Sequence, residues 1–397
     1  MEHAPSRPRQ EPSAAVDPAV EARTRKKARA FPAGFLGMLA LVLLVESGIS
    51  RHGLDISRPE AWEWWLSGKA ARKQVVGRPI LCFGSSMVKQ AVIPRIIGQK
   101  LGCPVYNLSL CAGPAPSSYH LLRRALDSGS QPRAILVEFH PAGLTDPPSL
   151  YVDYWPHLLE FRELADLALT AKDPGFFATA AVARLLPSFR DRKPIRTNLA
   201  AAFRGESESN RRYNAPMRRN ILANRGAKVI PRNPEYRGEI AEHLSRTLLS
   251  DTWDCNPVNV AYVERFLSLA QAHDIPVFWL MPPFIPALQA GREAKGLDAR
   301  YREFARHLQA RYPNLTVLDG LKSNYVDPAF NDGMHFNAQG AYAFSHDLAD
   351  ALGARLGSPS DGRWVAMPDY REHNPEVQIE DFARSVAVTN DADSRRR

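Results

Sequence analysis

Pro79-Ile80-Leu81-Cys82-Phe83-Gly84-Ser85-Ser86-Met87 is the stretch that decides the fold. A short, wholly apolar run that stops at a Gly-Ser-Ser turn reads as a buried strand. Similar runs recur at residues 104–110, 134–139, 275–283 and 314–320. Between them lie stretches of helical period at 95–101, 117–126, 258–273 and 299–311, and a last one follows at 338–356. Strands that lack polar alternation, interleaved with helices, predict an α/β domain whose parallel sheet is covered on both faces. The expectation is a three-layer α/β/α sandwich with a central parallel sheet of about five strands, spanning residues 78–356. Right-handed crossovers would bring the carboxyl ends of the strands to one edge, where open sheets of this kind hold their sites.

One long interruption, residues 140–257, breaks the alternation. It is helical in period at 158–169, 176–186 and 240–249 and Arg-rich around 206–219, and is expected to cap the strand edge. The tail, residues 357–397, shows no periodicity and reads as peripheral.

The N-terminus carries a second signal. Residues 1–30 are rich in Pro, Ala and charge, which predicts disorder, and they end in the basic cluster Arg23, Arg25, Lys26, Lys27, Arg29. An uncharged run, Phe31 to Val45, follows directly and extends as a marginal span to Ile49. The basic flank predicts a cytoplasmic N-terminus and an exported remainder, with residues 31–49 as a single-pass anchor. The alternative is a cleaved signal peptide and a secreted or periplasmic protein, with Val45-Glu46-Ser47 as its small-residue site.

Composition narrows the function classes. The chain has 397 residues, 45% hydrophobic and 23% charged, which is that of a globular protein. Its formal charge of +9 is scattered, without the aromatic interleaving of a single-strand binder, so nucleic acid is not an expected partner. Cys82, Cys103, Cys111 and Cys255 form no CxxC pair and no metal-ligand spacing; no metal is expected. Cys82 reads as a core residue, and an exported chain would allow a Cys103–Cys111 bridge. His120, His157, His243, His273, His307 and His346 lack partner spacing and read as surface or packing residues.

Two short segments carry chemistry. A serine on a strand-to-helix turn exposes its hydroxyl at the sheet edge, and its own N–H faces a developing oxyanion. In Phe330-Asn331-Asp332-Gly333-Met334-His335, the three-residue separation lets Asp332 orient His335 across a tight turn. An α/β-hydrolase elbow is excluded, because Gly84-Ser85-Ser86-Met87-Val88 lacks its second glycine.

A Gly-Ser-Ser after the first strand, with Asp-x-x-His before the last helix, resembles the SGNH (GDSL-like) hydrolases over residues 79–356, the insertion excepted. The resemblance implies a flavodoxin-like fold and a triad of Ser86, His335 and Asp332, with Ser85 where the family has aspartate. It also implies an oxyanion hole from the backbone N–H groups of Ser86 and Gly113, in a block that holds Asn107 and Ala112. The third block, Val137 to Gly143, departs from the family in lacking asparagine; His140 stands nearest as a substitute donor. The Gly-Ser-Ser variant resembles the membrane-anchored branch that includes D-alanyl transfer and alginate O-acetylation proteins. That implies a cofactor-free esterase, or an O-acyltransferase, acting on an acylated polysaccharide or envelope polymer, with a membrane protein supplying acyl groups. A catalytically degenerate, glycan-binding assembly protein is the non-enzymatic alternative.

Overall fold

The computed structural model describes residues 33–77, 79–205, 210–356, 362–373 and 376–395. Residues 1–30, expected to be disordered, lie outside the described residues, as do 206–209 of the Arg-rich stretch.

The fold is α/β, built on one six-stranded sheet with every pairing parallel. The strands are β1 (Ile80–Phe83), β2 (Val105–Asn107), β3 (Ala134–Val137), β4 (Val277–Met281), β5 (Leu315–Asp319) and β6 (Trp364–Ala366), in the order β2-β1-β3-β4-β5-β6. Ile80, Leu81, Cys82 and Phe83 are all fully buried, which is why this run carries no polar alternation. Phe83 meets Phe266 of helix Pro257–Ala272 edge to face, with ring centroids 5.4 Å apart. Truncating such an aromatic side chain to alanine costs about 3–5 kcal/mol.

Two expectations need correction. The sheet has six strands, not about five, and the tail is not peripheral. Residues 364–366 form the edge strand β6, paired from Trp364 to Ala366 with Val317 to Asp319. The apolar run Trp364-Val365-Ala366-Met367 is short and stands after the last helix, and its three strand residues are half-exposed or exposed, held by the backbone ladder. The helix Phe382–Ser394 is tied back to helix Arg211–Ala223: the Asn220 and Asn224 amides donate to the Glu380 carbonyl at 2.8 and 2.7 Å, and Arg219 pairs with Glu380.

The insertion is largely helical, and it divides. Its helices Phe161–Ala171, Pro174–Leu185 and Glu242–Leu248 match the expected ones within a few residues. Helices Arg192–Phe203 and Arg211–Ala223 are additional, the latter holding Pro216 in its interior, which hides it from a periodicity reading. Only part of the insertion covers the strand edge. Residues 239–244 lie against the turn at Gly333, where a Cβ would sit 3.1 Å from Leu244 and 3.4 Å from the Glu239 carbonyl.

Ala33–Arg51 is a separate unit, a helix of 19 residues. Its window Gly34–Arg51 has mean hydropathy 1.5 and is long and apolar enough to cross a membrane or to serve as a signal sequence. The four cysteines are free thiols; Cys103 and Cys111 are not joined.

Candidate functional site

The order of the strands reverses beside β1, which lies between β2 and β3. Such a reversal opens a crevice at the strands' carboxyl ends. β1 delivers its chain into that crevice through Gly84, at φ +139°, where a Cβ would lie 2.8 Å from both the carbonyl and the carboxylate of Glu138. No other residue fits there. Ser85 then caps the helix Ser86–Ala91, its Oγ accepting from the Met87 N–H at 3.1 Å. Capping occupies Ser85, and Ser86 is left with its hydroxyl outward.

His335 Nε2 lies 2.7 Å from Ser86 Oγ. On the other side of the ring, Nδ1 lies 2.9 Å from Asp332 Oδ2 and 3.1 Å from Oδ1. Asp332 Oδ1 also accepts the N–H groups of Met334 and His335, at 2.9 and 2.8 Å. Burial alone would raise the Asp332 carboxyl, but these partners, His335 foremost, hold it below its ordinary value. An ionised Asp332 fixes the tautomer with hydrogen on Nδ1, leaving Nε2 to accept the Ser86 proton. The turn is stapled on both flanks. Phe330 and Phe336 stack with centroids 4.7 Å apart, and Asn331 N–H donates to the His335 carbonyl at 2.7 Å. Just beyond, Gly340 passes so close to Ala329 that a Cβ would meet its carbonyl at 2.1 Å.

Of the expected oxyanion donors, Gly113 is engaged within its own loop. Gly113 N–H closes a turn on the Leu110 carbonyl at 3.0 Å, so this expected donor is already committed. Ala112, at φ +54°, is exposed, and its N–H has no hydrogen-bond partner among the described residues. The loop is anchored beside Ser86 by Leu110 N–H donating to the Gly84 carbonyl at 2.9 Å. Asn107 works underneath, its amide donating to the carbonyls of Val88 and Val92 at 2.9 and 3.0 Å; it braces the helix Ser86–Ala91.

His140 caps the short helix Pro141–Thr145, its Nδ1 accepting the Ala142 N–H at 3.3 Å. A neutral imidazole that accepts at Nδ1 carries its hydrogen on Nε2. That Nε2 is buried and has no hydrogen-bond partner among the described residues. Burial first, then the charges of Arg292 and His335, push this ring down to about 3, so it stays neutral. An uncommitted N–H donor therefore stands where the sequence offered only a histidine by position.

Sequence reasoning missed two buried groups. Glu138 accepts the Ser85 N–H at 2.8 Å on one oxygen and has no partner on the other among the described residues. Burial pushes its carboxyl up to about 7, although the bonds from Ser85 pull the other way. The only signal was an acid ending an apolar strand, Val137-Glu138-Phe139. On the buried side of the helix Ser86–Ala91, Lys89 is wholly buried near Ser67 Oγ (3.4 Å), and Lys228 pairs with Glu63 at 2.9 Å. Burial holds Lys89 below the usual lysine range despite Glu63. Helical periodicity does not reveal such partners, because they come from distant segments.

One group among the described residues could hold a metal: His346, Asp347 and His373, with ligand atoms within 4.8 Å of one another. None belongs to the triad, and the Lys100 ammonium sits 3.1 Å from His346 Nδ1, which opposes a cation. No family model and no curated protein matches this chain.

Proposed function

We propose that the chain is a serine-dependent acyl-ester enzyme with the three-layer SGNH arrangement. Its particular substrate class would be acyl esters of an extracytoplasmic polysaccharide or envelope polymer, reached from an N-terminal membrane anchor. The observation that carries this reading is the unbroken relay from Asp332 through His335 to Ser86, at 2.9 and 2.7 Å. The strand order β2-β1-β3-β4-β5, which is that of doubly wound sheets, and the placement of Ser86 at the reversal support it further.

In this mechanism Ser86 Oγ attacks the ester carbonyl as His335 Nε2 takes its proton. The oxyanion is held by the N–H groups of Ser86 and Ala112 and by His140 Nε2–H. His335 returns the proton to the leaving sugar oxygen, and the acyl group stays on Ser86. A water or a second hydroxyl then gives its proton to His335 and takes the acyl group, and His335 returns that proton to Ser86 Oγ as the bond to the acyl carbon breaks.

A transferase is the second reading, favoured by residues 239–244 packed on the Asp332–His335 turn, where a cover can exclude water. Turnover of an aryl acetate with and without an acceptor glycan tests both. We expect slow hydrolysis that Ser86→Ala and His335→Ala abolish, and that the glycan accelerates. Brisk hydrolysis indifferent to glycan would favour the esterase. No Ser86-dependent turnover under either condition would favour a non-catalytic binder.

A further inference from the structure

A cavity rich in positive charge lies outside the proposed active site. A cavity of about 470 Å³ is lined by Lys69, Arg72, Lys73, Arg124, Arg184 and Arg190, with Glu160 as its one acidic lining residue. Two further carboxylates stand behind the lining: Glu163 accepts from Arg124 at 2.7 Å, and Asp191 from Arg190 at 2.8 Å. Glu160 is shared between Arg72 and Arg184. Six cations thus face three carboxylates, and three positive charges are left over. Lys69 and Lys73 have no carboxylate partner among the described residues.

The cavity is shaped as well as charged. Arg124 is buried and passes close over Gly68, where a Cβ would lie 3.1 Å from its guanidinium and from Leu158. His157 lines the wall, and its ring has no hydrogen-bond partner among the described residues. Burial, then Arg190 and Arg184, push it down to about 3, leaving a neutral donor and acceptor. Half-exposed Trp65 and Phe161 form an aromatic rim, with Lys69 5.0 Å from the Trp65 ring. None of the triad or oxyanion residues is among the lining. Arg124 lies nine residues along helix Ala115–Asp127 from the end that meets the oxyanion loop, about 13 Å of helix.

We propose that this cavity binds a multiply charged phosphate-type anion, either a phospholipid headgroup or a free phosphate-bearing solute. Guanidinium forks match phosphate oxygens bidentately, and several of them converging in one place suit an anion with three or more acceptor oxygens. One carboxylate would leave most of the excess charge unbalanced, whereas a phosphate monoester brings about −1.5 to −2. The proposal is independent of whether Ser86 is a nucleophile.

The test uses the full chain in neutral detergent, followed by calorimetry and Trp fluorescence. The probes are inorganic pyrophosphate and dihexanoyl phosphatidic acid. Saturable binding of either probe, weakened at high salt, is expected. The double variant Lys69→Glu/Lys73→Glu changes two exposed side chains and should bind about tenfold more weakly or worse, with an unchanged circular dichroism spectrum. Gly68→Ala, which crowds the floor without touching charge, should also weaken it. Pyrophosphate bound in preference identifies a soluble ligand; phosphatidic acid in preference identifies a headgroup. Binding unchanged by the charge reversal, or no binding of either probe, overturns the proposal.

Discussion

The two sides of the proposed catalytic site are built on different principles. The proton relay is local on one side: Asp332 and His335 share one turn, and the only long-range contact is the 2.7 Å approach to Ser86. The oxyanion side is dispersed, drawing Ser86 from the turn after β1, Ala112 from the loop after β2, and His140 from the loop after β3. A local device is specified by spacing, because a tight turn leaves few arrangements for residues three apart. A dispersed one is specified by packing. Gly113 shows the consequence: it fits by position, yet its N–H is taken by Leu110.

If the relay is the more demanding half, breaking it should cost most. Asp332→Asn keeps the size of the side chain but removes the charge that fixes the His335 tautomer. We expect turnover of an aryl acetate to fall by about 10⁴, with little change in melting temperature. A fall of less than tenfold would show that His335 does not depend on Asp332.

The dispersed half should respond less, and its response sharpens the comparison. Removing the His140 Nε2–H donor by His140→Ala is expected to lower kcat by about a hundred- to a thousandfold. His140→Asn, which offers a side-chain N–H of similar reach, should recover part of that loss. Unchanged kcat in His140→Ala, with only a lowered melting temperature, would make His140 a helix cap only, since its Nδ1 accepts the Ala142 N–H.

The smallest effect concerns Glu138, beneath the nucleophile turn. Its carboxyl is raised from 4.5 to about 7, so the folded chain keeps a proton that the unfolded chain loses between those values. The stability from this group is full below pH 4.5 and declines as the pH rises through 7. Glu138→Gln cannot ionise and still accepts the Ser85 N–H. Chemical denaturation should find it more stable than wild type at pH 8 by on the order of 2 kcal/mol, and equal to it near pH 4. No pH dependence of the difference would mean that Glu138 titrates normally.

Legibility followed the same division. Five of the six strands stood out because β1, β3 and β4 are buried throughout and β2 and β5 for the most part, so their apolar runs are nearly continuous. β6 did not, since an edge strand of three residues needs only backbone pairing. Ser86, Asp332 and His335 were legible because they sit on short motifs at the ends of readable elements. Glu138, the Lys89–Lys228–Glu63 group and the cationic cavity were not. Each joins side chains scattered along the chain, as Lys69, Arg124 and Arg190 show, and no spacing records such a meeting.

Covalent capture tests the central claim most directly. An activated serine attacks phosphorus as it would an ester carbonyl, so the full-length protein should take one fluorophosphonate group, and peptide mapping should place it on Ser86. Labelling should vanish in Ser86→Ala, and should slow greatly in His335→Ala while the protein stays folded. A folded wild-type chain that takes no label, or one labelled at Ser85 and unaffected by His335→Ala, would contradict the account.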